Sequence, residues 1–92
     1  MTLTAERLRE LLDYDPTTGH FAWRVSRGNR AAGSLAGREH GDGYWQIKVD
    51  GREYLAHRLA WLYVLGVWPT YYIDHKDLNG RNNAILNLRE AS

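Results

Sequence analysis

Asp50-Gly51 constrains this chain more than any other pair of residues, because it lies between two runs that read as strands, Tyr44–Val49 and Arg52–Ala56. An Asp-Gly loop of two residues accepts the positive φ angles that join antiparallel strands with the correct twist. With the turn fixed there, Val49 falls opposite Arg52, Lys48 opposite Glu53, Ile47 opposite Tyr54 and Trp45 opposite Ala56. Lys48 and Glu53 then form an opposite-charge pair on one face. Trp45, Ile47, Val49 and Tyr54 share the other face, which is the one expected to meet the core. A helical pattern follows over His57–Leu65, with Leu59, Leu62, Tyr63 and Leu65 apolar and Gly66 as its stop. A hairpin running straight into a helix predicts an α+β fold.

The segments on either side fill out that fold. Thr4 is placed to cap a helix reaching about Tyr14, with Glu6 in its first turn and Leu8, Leu11 and Leu12 as its apolar stripe. Asp15-Pro16-Thr17-Thr18-Gly19 reads as a turn. His20–Val25 alternates as a short strand, with Phe21, Trp23 and Val25 on one side. This strand and the hairpin give three strands ahead of the helix. Residues 27–43 hold Gly28, Gly33, Gly37, Gly41 and Gly43 together with Arg27, Arg30 and Arg38. Two readings stand here: a tolerated flexible loop, or an arginine-bearing loop that orders on phosphate, where glycine lets backbone approach. Val67-Trp68-Pro69 is a stiff connector, and Tyr71-Tyr72-Ile73 is a strand feeding Asp74.

Ninety-two residues suffice for one domain and not for two cores. The chain has no cysteine, which excludes a disulfide framework and a thiolate zinc site. No stretch approaches the length of a membrane span, and the N-terminus is polar and amphipathic with no apolar signal region. The expectation is a soluble protein of the cytoplasm, with no membrane partner. The formal net charge of +1 says little by itself, but the distribution is uneven. Residues 20–58 carry seven bases against four acids, and ten of the chain's twelve bases are arginine, the side chain that clamps phosphate with two hydrogen bonds and stacks on bases. A solvated surface rich in arginine would have the same composition.

The densest chemistry lies in Ile73-Asp74-His75-Lys76-Asp77-Leu78-Asn79-Gly80-Arg81-Asn82-Asn83, followed by Asn87-Leu88-Arg89. An Asp-His pair ends an apolar strand, a polar loop turns at Asn79-Gly80, and an Asn-Asn-x-x-x-Asn-Leu-Arg unit closes the segment. This pattern resembles the HNH nuclease family in its phage form. Ala56-His57-Arg58-Leu59-Ala60-Trp61, with Gly66 and Pro69 after it, is similar to that family as well. The resemblance runs from about Leu8 to Arg89. It implies a single domain over 1–92, with a helix–sheet–helix binding part at 1–69 and a partial ββα-metal (HNH) motif at 70–92. In the small module that often precedes phage HNH motifs, the sheet face meets nucleic acid.

Enzymes of that family cut a phosphodiester with one divalent metal and one imidazole. The imidazole deprotonates a water, and the metal neutralises charge on the phosphate and the leaving oxygen. By resemblance, His75 is the general base, Asp74 a metal ligand, Asn87 the middle asparagine holding the loop over the base, and Asn83 a brace at the mouth of the loop. The family's third residue, a His or Asn on a helix after the Asn-Leu-Arg strand, is expected several residues past Arg89, and Glu90-Ala91-Ser92 supplies neither.

The resulting expectation is a non-catalytic phage protein of HNH descent, bound to nucleic acid or to a protein–RNA complex in a bacterial host cell and needing no cofactor. One form of it is an anti-CRISPR protein, a small phage inhibitor of an RNA-guided defence complex. The alternative is a nicking endonuclease that uses Mg²⁺ or Mn²⁺, with His75 as its base. Expected contacts to the partner are Arg24, Arg27, Arg30, Arg38, Lys48, Arg52, His57 and Arg58. His57 and Arg58 are included because they open a helix, where free N–H groups favour phosphate; a lone histidine there is more often a packed, hydrogen-bonded residue.

Overall fold

A computed structural model describes residues 2–91. Among them are two α-helices and three small antiparallel sheets. In chain order these are α1 (Ala5–Leu11), β1 (Leu12–Tyr14), β2 (Phe21–Trp23), β3 (Arg38–Glu39), β4 (Trp45–Val49), β5 (Arg52–Leu55), α2 (Ala56–Leu65), β6 (Tyr72–His75), a 3-10 turn at Ile85–Asn87 and β7 (Leu88–Ala91). The α+β class expected from the sequence is the one observed.

The Asp50-Gly51 hairpin forms with both residues at positive φ, 49° and 82°, as a type I′ turn requires. Its register pairs Val49 with Arg52, Lys48 with Glu53 and Ile47 with Tyr54. The expected Trp45–Ala56 pair does not form, because the chain leaves the strand for α2 at Ala56; Trp45 instead faces Glu39 of β3. Ile47 and Val49 are buried and Lys48 is exposed, so the two faces divide as their alternation dictates. Gly66 ends α2 at φ +79°, with its N–H on Leu62 O.

The first helix is shorter than its apolar stripe suggests. The Thr4 side chain accepts a hydrogen bond from Arg7 N, as expected of the cap, but the helix stops at Leu11. Leu12–Tyr14 turns into a strand that pairs with Phe21–Trp23 across the Asp15–Gly19 turn. Pairing to β2 gives those residues a ladder, and Leu12 is fully buried there. The β2 strand therefore sits beside β1, not in the hairpin's sheet. The third strand of that sheet is the two-residue β3, and a lone bridge from Ala22 to Leu35 connects the two regions. Val25, expected on the apolar face, lies beyond the end of β2 and is exposed.

The core joins all parts of the chain, from Leu8 and Leu12 through Phe21, Ile47, Leu59 and Leu62 to Ile73 and Leu88. The side chains of Tyr14, Phe21 and Tyr63 form an aromatic trio with centroid separations of 4.8, 5.6 and 5.8 Å. Polar anchors tie the periphery in. The Arg9 guanidinium donates to Tyr63 O at 2.6 and 3.0 Å, the Tyr63 hydroxyl to Leu12 O, and the Trp68 indole to Leu3 O. Among the described residues no helix is long and apolar enough to cross a membrane.

Candidate functional site

Two strands position the site. β6 and β7 pair so that Asp74 faces Arg89 and His75 faces Leu88. Alternation along β6 buries Ile73 and His75 on one side and exposes Tyr72 and Asp74 on the other. Asp74 and His75 are neighbours in sequence, but their side chains leave opposite faces of the strand.

His75 is buried and held by one well-formed hydrogen bond: its Nε2 lies 2.9 Å from Asn83 Oδ1. An amide oxygen only accepts, so Nε2 carries the hydrogen and Nδ1 keeps the lone pair in the neutral ring. The Asn83 amide nitrogen points the other way, toward Arg81 O at 3.5 Å. Asn83 is itself fixed from behind. The Tyr14 hydroxyl donates to Asn83 O at 2.5 Å, and burial pushes the Tyr14 pKa up to about 12. Gly19 (φ +79°) packs so closely that a Cβ there would lie 2.1 Å from Ala84 N and from Asn83 C. The hairpin of β1 and β2 therefore acts as a clamp on the residue that orients the imidazole.

The loop after His75 is organised around Asp77. Its carboxylate accepts from Asn82 Nδ2 at 2.7 Å, Asn87 Nδ2 at 2.9 Å and Asn79 N at 2.9 Å. These bonds, led by the one from Asn82, hold its carboxyl below the usual aspartate range. Asn87 also donates to Asn82 O at 2.8 Å and accepts from Asp77 N at 3.1 Å, while Lys76 N donates to Asn87 O at 2.8 Å. Asn79 closes the turn by accepting from Arg81 N. Gly80 lets the loop reach the 43–44 segment, since a Cβ would fall 2.7 Å from Tyr44 Cδ1 and 2.8 Å from Gly43 O.

Tyr44 and His57 complete the surroundings of the imidazole. The His57 ring meets His75 edge-on at 4.8 Å and 76°. The Tyr44 ring lies 5.4 Å from His57 and 5.9 Å from His75. Although His57 stands in the first turn of α2, it is buried, and its Nδ1 has no hydrogen-bond partner among the described residues. Burial, followed by the neighbouring His75 and Arg58, pushes its pKa down to about 4.

A cleft of about 530 Å³ opens over this cluster, lined by Tyr44, Asp74, His75, Leu78, Arg81 and Arg89 among others. The arginines expected to contact a partner line none of it. Arg24 pairs with Asp13 at 3.5 Å, and Arg38 with Glu53 at 3.0 Å. Arg30 lies flat on Trp23 at 3.5 Å, and Arg58 lies 5.7 Å over Trp68. Arg27 and Arg30 close a tight turn through mutual backbone bonds. Lys48 and Arg52 are both exposed but belong to opposite sides of the hairpin, because Lys48 pairs with Glu53 and Arg52 with Val49. The cleft's own cations are Arg81, which is paired with Glu39, and Arg89, 3.9 Å from Asp74. Reading by charge density passed over both, as they fall where acids and bases balance. It also passed over Asp77 and Gly19, whose importance depends on long-range packing.

A divalent ion is tested here by its donor set. Asp74 is half-exposed and leans toward Arg89. His75 lies on the other face of the strand, with one nitrogen engaged by Asn83. Among the described residues no group of three His, Cys, Asp or Glu side chains could hold a metal. These residues by themselves do not fit a metal site.

Comparison with known proteins places the architecture. The sequence pattern of the HNH endonuclease family matches residues 54–92. No curated protein matches the chain. Among solved structures, that of the HNH homing endonuclease I-HmuI, described for its DNA binding and cleavage, is similar with a TM-score of 0.66 and 26% identity, over 89% of this chain and 47% of the other. The chain thus spans about half the length of that protein. The segment from Tyr54 onward, which includes α2, His75 and Asn87, carries the HNH endonuclease pattern, on a fold shared with an HNH homing endonuclease.

Proposed function

We propose that residues 1–92 form a DNA-binding unit of HNH descent that seats a backbone phosphate in the cleft over His75 and by itself does not cut it. The structural likeness to an enzyme that binds and cleaves DNA carries the binding half of this reading. The cleft offers a phosphate the Arg81 and Arg89 guanidinium groups, each now on a carboxylate that a phosphate would replace. Arg27, Lys48 and Arg52 make no ion pair among the described residues and supply longer-range attraction. The non-cutting half rests on the donor set, since Asp74 is the one carboxylate on the strand beside the imidazole.

A second reading, a nicking nuclease, is favoured by one observation. The bond from His75 Nε2 to Asn83 leaves Nδ1 as the acceptor a general base needs. In that reading Asp74 contributes a ligand to a metal site finished by groups beyond those described.

Two measurements separate the readings. Anisotropy with a mixed-sequence duplex is expected to give an affinity that falls steeply with salt; a salt-independent affinity for a protein–RNA complex would mean that the partner is a protein surface. Plasmid nicking with Mg²⁺ or Mn²⁺ is expected to be absent. Nicking that disappears in His75→Ala would establish the nuclease instead.

A further inference from the structure

Leu78 combines a left-handed backbone with an exposed apolar side chain, a conjunction that its exposed neighbours Tyr72 and Leu86 do not share. Its φ is +63°, a left-handed conformation that glycine adopts freely and leucine does not. Its side chain is 93% exposed, so folding gains nothing from its apolar surface. The backbone around it is pinned: Leu78 N donates to His75 O at 2.9 Å, and Asp77 and Asn79 on either side are held in the asparagine network. Strain combined with exposure at a fixed position points to a role outside the molecule.

Resting on the DNA-binding reading above, we propose that Leu78 is an apolar wedge that enters the minor groove at a base step beside the phosphate held over His75. Leu78 lines the same cleft as Asp74, His75, Arg81 and Arg89, so a duplex seated on those arginines meets it directly. The surroundings choose between a base step and a hydrophobic protein pocket. A protein-binding surface gathers apolar residues into a patch, whereas the chain neighbours of Leu78 are Lys76, Asp77, Asn79, Gly80 and Arg81, and the other exposed ring of the cleft, Tyr44, is packed on His57 and His75. An exposed aliphatic side chain on a hydrogen-bonded loop with cations at its flanks suits a kinked duplex, where the wedge fills the gap left by unstacked bases and the cations hold the sugar–phosphate backbone. TA steps, which unstack most readily, are the expected targets.

The test uses TA-rich duplexes carrying 2-aminopurine, which fluoresces when unstacked, with the wild type, Leu78→Gly and Leu78→Met. The wild type and Leu78→Met are expected to bind and to raise the fluorescence. Leu78→Gly is expected to bind roughly tenfold or more weakly, the value of one lost aliphatic burial, and to leave the probe quenched. Its melting temperature is expected to match or exceed that of the wild type, because glycine relieves the strain. Equal affinity and a silent probe for both wild type and Leu78→Gly would overturn the wedge while leaving DNA binding intact. A clear drop in melting temperature would overturn it by making Leu78 structural. A wild type with no affinity for duplex would remove the DNA reading and the wedge together.

Discussion

Two polar segments of similar composition serve opposite ends. The loop over residues 76–87 and the glycine–arginine segment over residues 27–43 are both rich in turn-forming residues. In the first, every asparagine amide and the Asp77 carboxylate has a partner, and Gly80 is pressed against Tyr44. In the second, Gly28, Gly33, Gly41 and Gly43 face open space, and Arg27 is exposed. Asparagine fixes a loop because its short side chain both donates and accepts within bond reach of the backbone. The glycine–arginine segment is tied down only in part: Gly37 packs on Trp45, Arg30 lies over Trp23 and Arg38 pairs with Glu53, while Arg27 makes no ion pair among the described residues. The molecule thus sets a seat for one imidazole, tied by asparagine side chains, beside a cationic segment held mainly by backbone bonds. The difference between them can be tested residue by residue.

The largest effect is expected where glycine meets backbone. Gly19→Ala would drive a Cβ to within 2.1 Å of Ala84 N at a φ of +79°, combining overpacking with left-handed strain. A loss of roughly 3 kcal/mol or more is expected in denaturant titration. Gly33→Ala, at φ +90° with no atom nearby, incurs the backbone strain alone and is expected to lose roughly 1–2 kcal/mol. Equal losses at the two sites would mean that the clamp from the β1–β2 hairpin onto Asn83 does not bear on stability. Next comes Asn87→Ala, which removes three side-chain bonds, to Asp77 Oδ1, Asp77 N and Asn82 O. It is expected to cost roughly 2 kcal/mol and to speed amide hydrogen exchange over residues 76–83 while leaving residues 27–43 unchanged.

The pH dependence sharpens the same contrast, because the rigid region contains a buried base. His57 has a folded pKa of about 4 against an ordinary 6.5, so the unfolded chain binds its proton more readily than the folded one. Its stabilising effect is complete above pH 6.5 and is lost as the pH falls from there to about 4. A decline of roughly 3 kcal/mol across that window is expected, and His57→Phe, which keeps a ring in the space, should flatten it. The carboxyls of Asp42, Asp50, Glu53 and Asp77 are held below their ordinary values too, so their loss adds to the decline only at its acid end, near the ordinary carboxylate range, and the His57 effect is read above that. A decline that persists in His57→Phe would assign the titration to another group.

How much of this was legible in the sequence follows the range of the interactions. The hairpin register was readable because Asp50-Gly51 fixes it locally, and so were the Thr4 cap and the Gly66 stop. The Asp-His and Asn-Asn-x-x-x-Asn pattern marked out the loop whose side chains bond to one another, since those asparagine bonds span ten residues or fewer. The end of α1 was not readable. Leu8, Leu11 and Leu12 suit a helix, but a strand nine residues further on captures Leu12. The charge pattern also misled, because a count of arginines does not reveal that Arg24 and Arg38 are spent on Asp13 and Glu53 or that Arg30 lies on Trp23. His57 sat at a helix start, the favoured place for an anion, yet the fold turns it inward against His75. Long-range partners decide each of these cases, and no local pattern encodes them.

The smallest expected effect concerns the surface cations outside the cleft, and it separates free charge from paired charge. Each cation that meets a phosphate releases about 0.9 of a counterion, which sets the slope of log affinity against log salt. Arg27 and Lys48 are exposed and have no ion pair among the described residues, so Arg27→Ala and Lys48→Ala should each flatten that slope, by up to about 0.9. Arg24→Ala and Arg38→Ala should change it little, because their guanidinium groups already rest on Asp13 and Glu53. If all four substitutions flatten the slope alike, these surface pairs open on binding and the cations outside the cleft work as a diffuse field. If none does, the phosphate contacts lie wholly within the cleft at Arg81 and Arg89, and the rigid region does the binding as well as the seating.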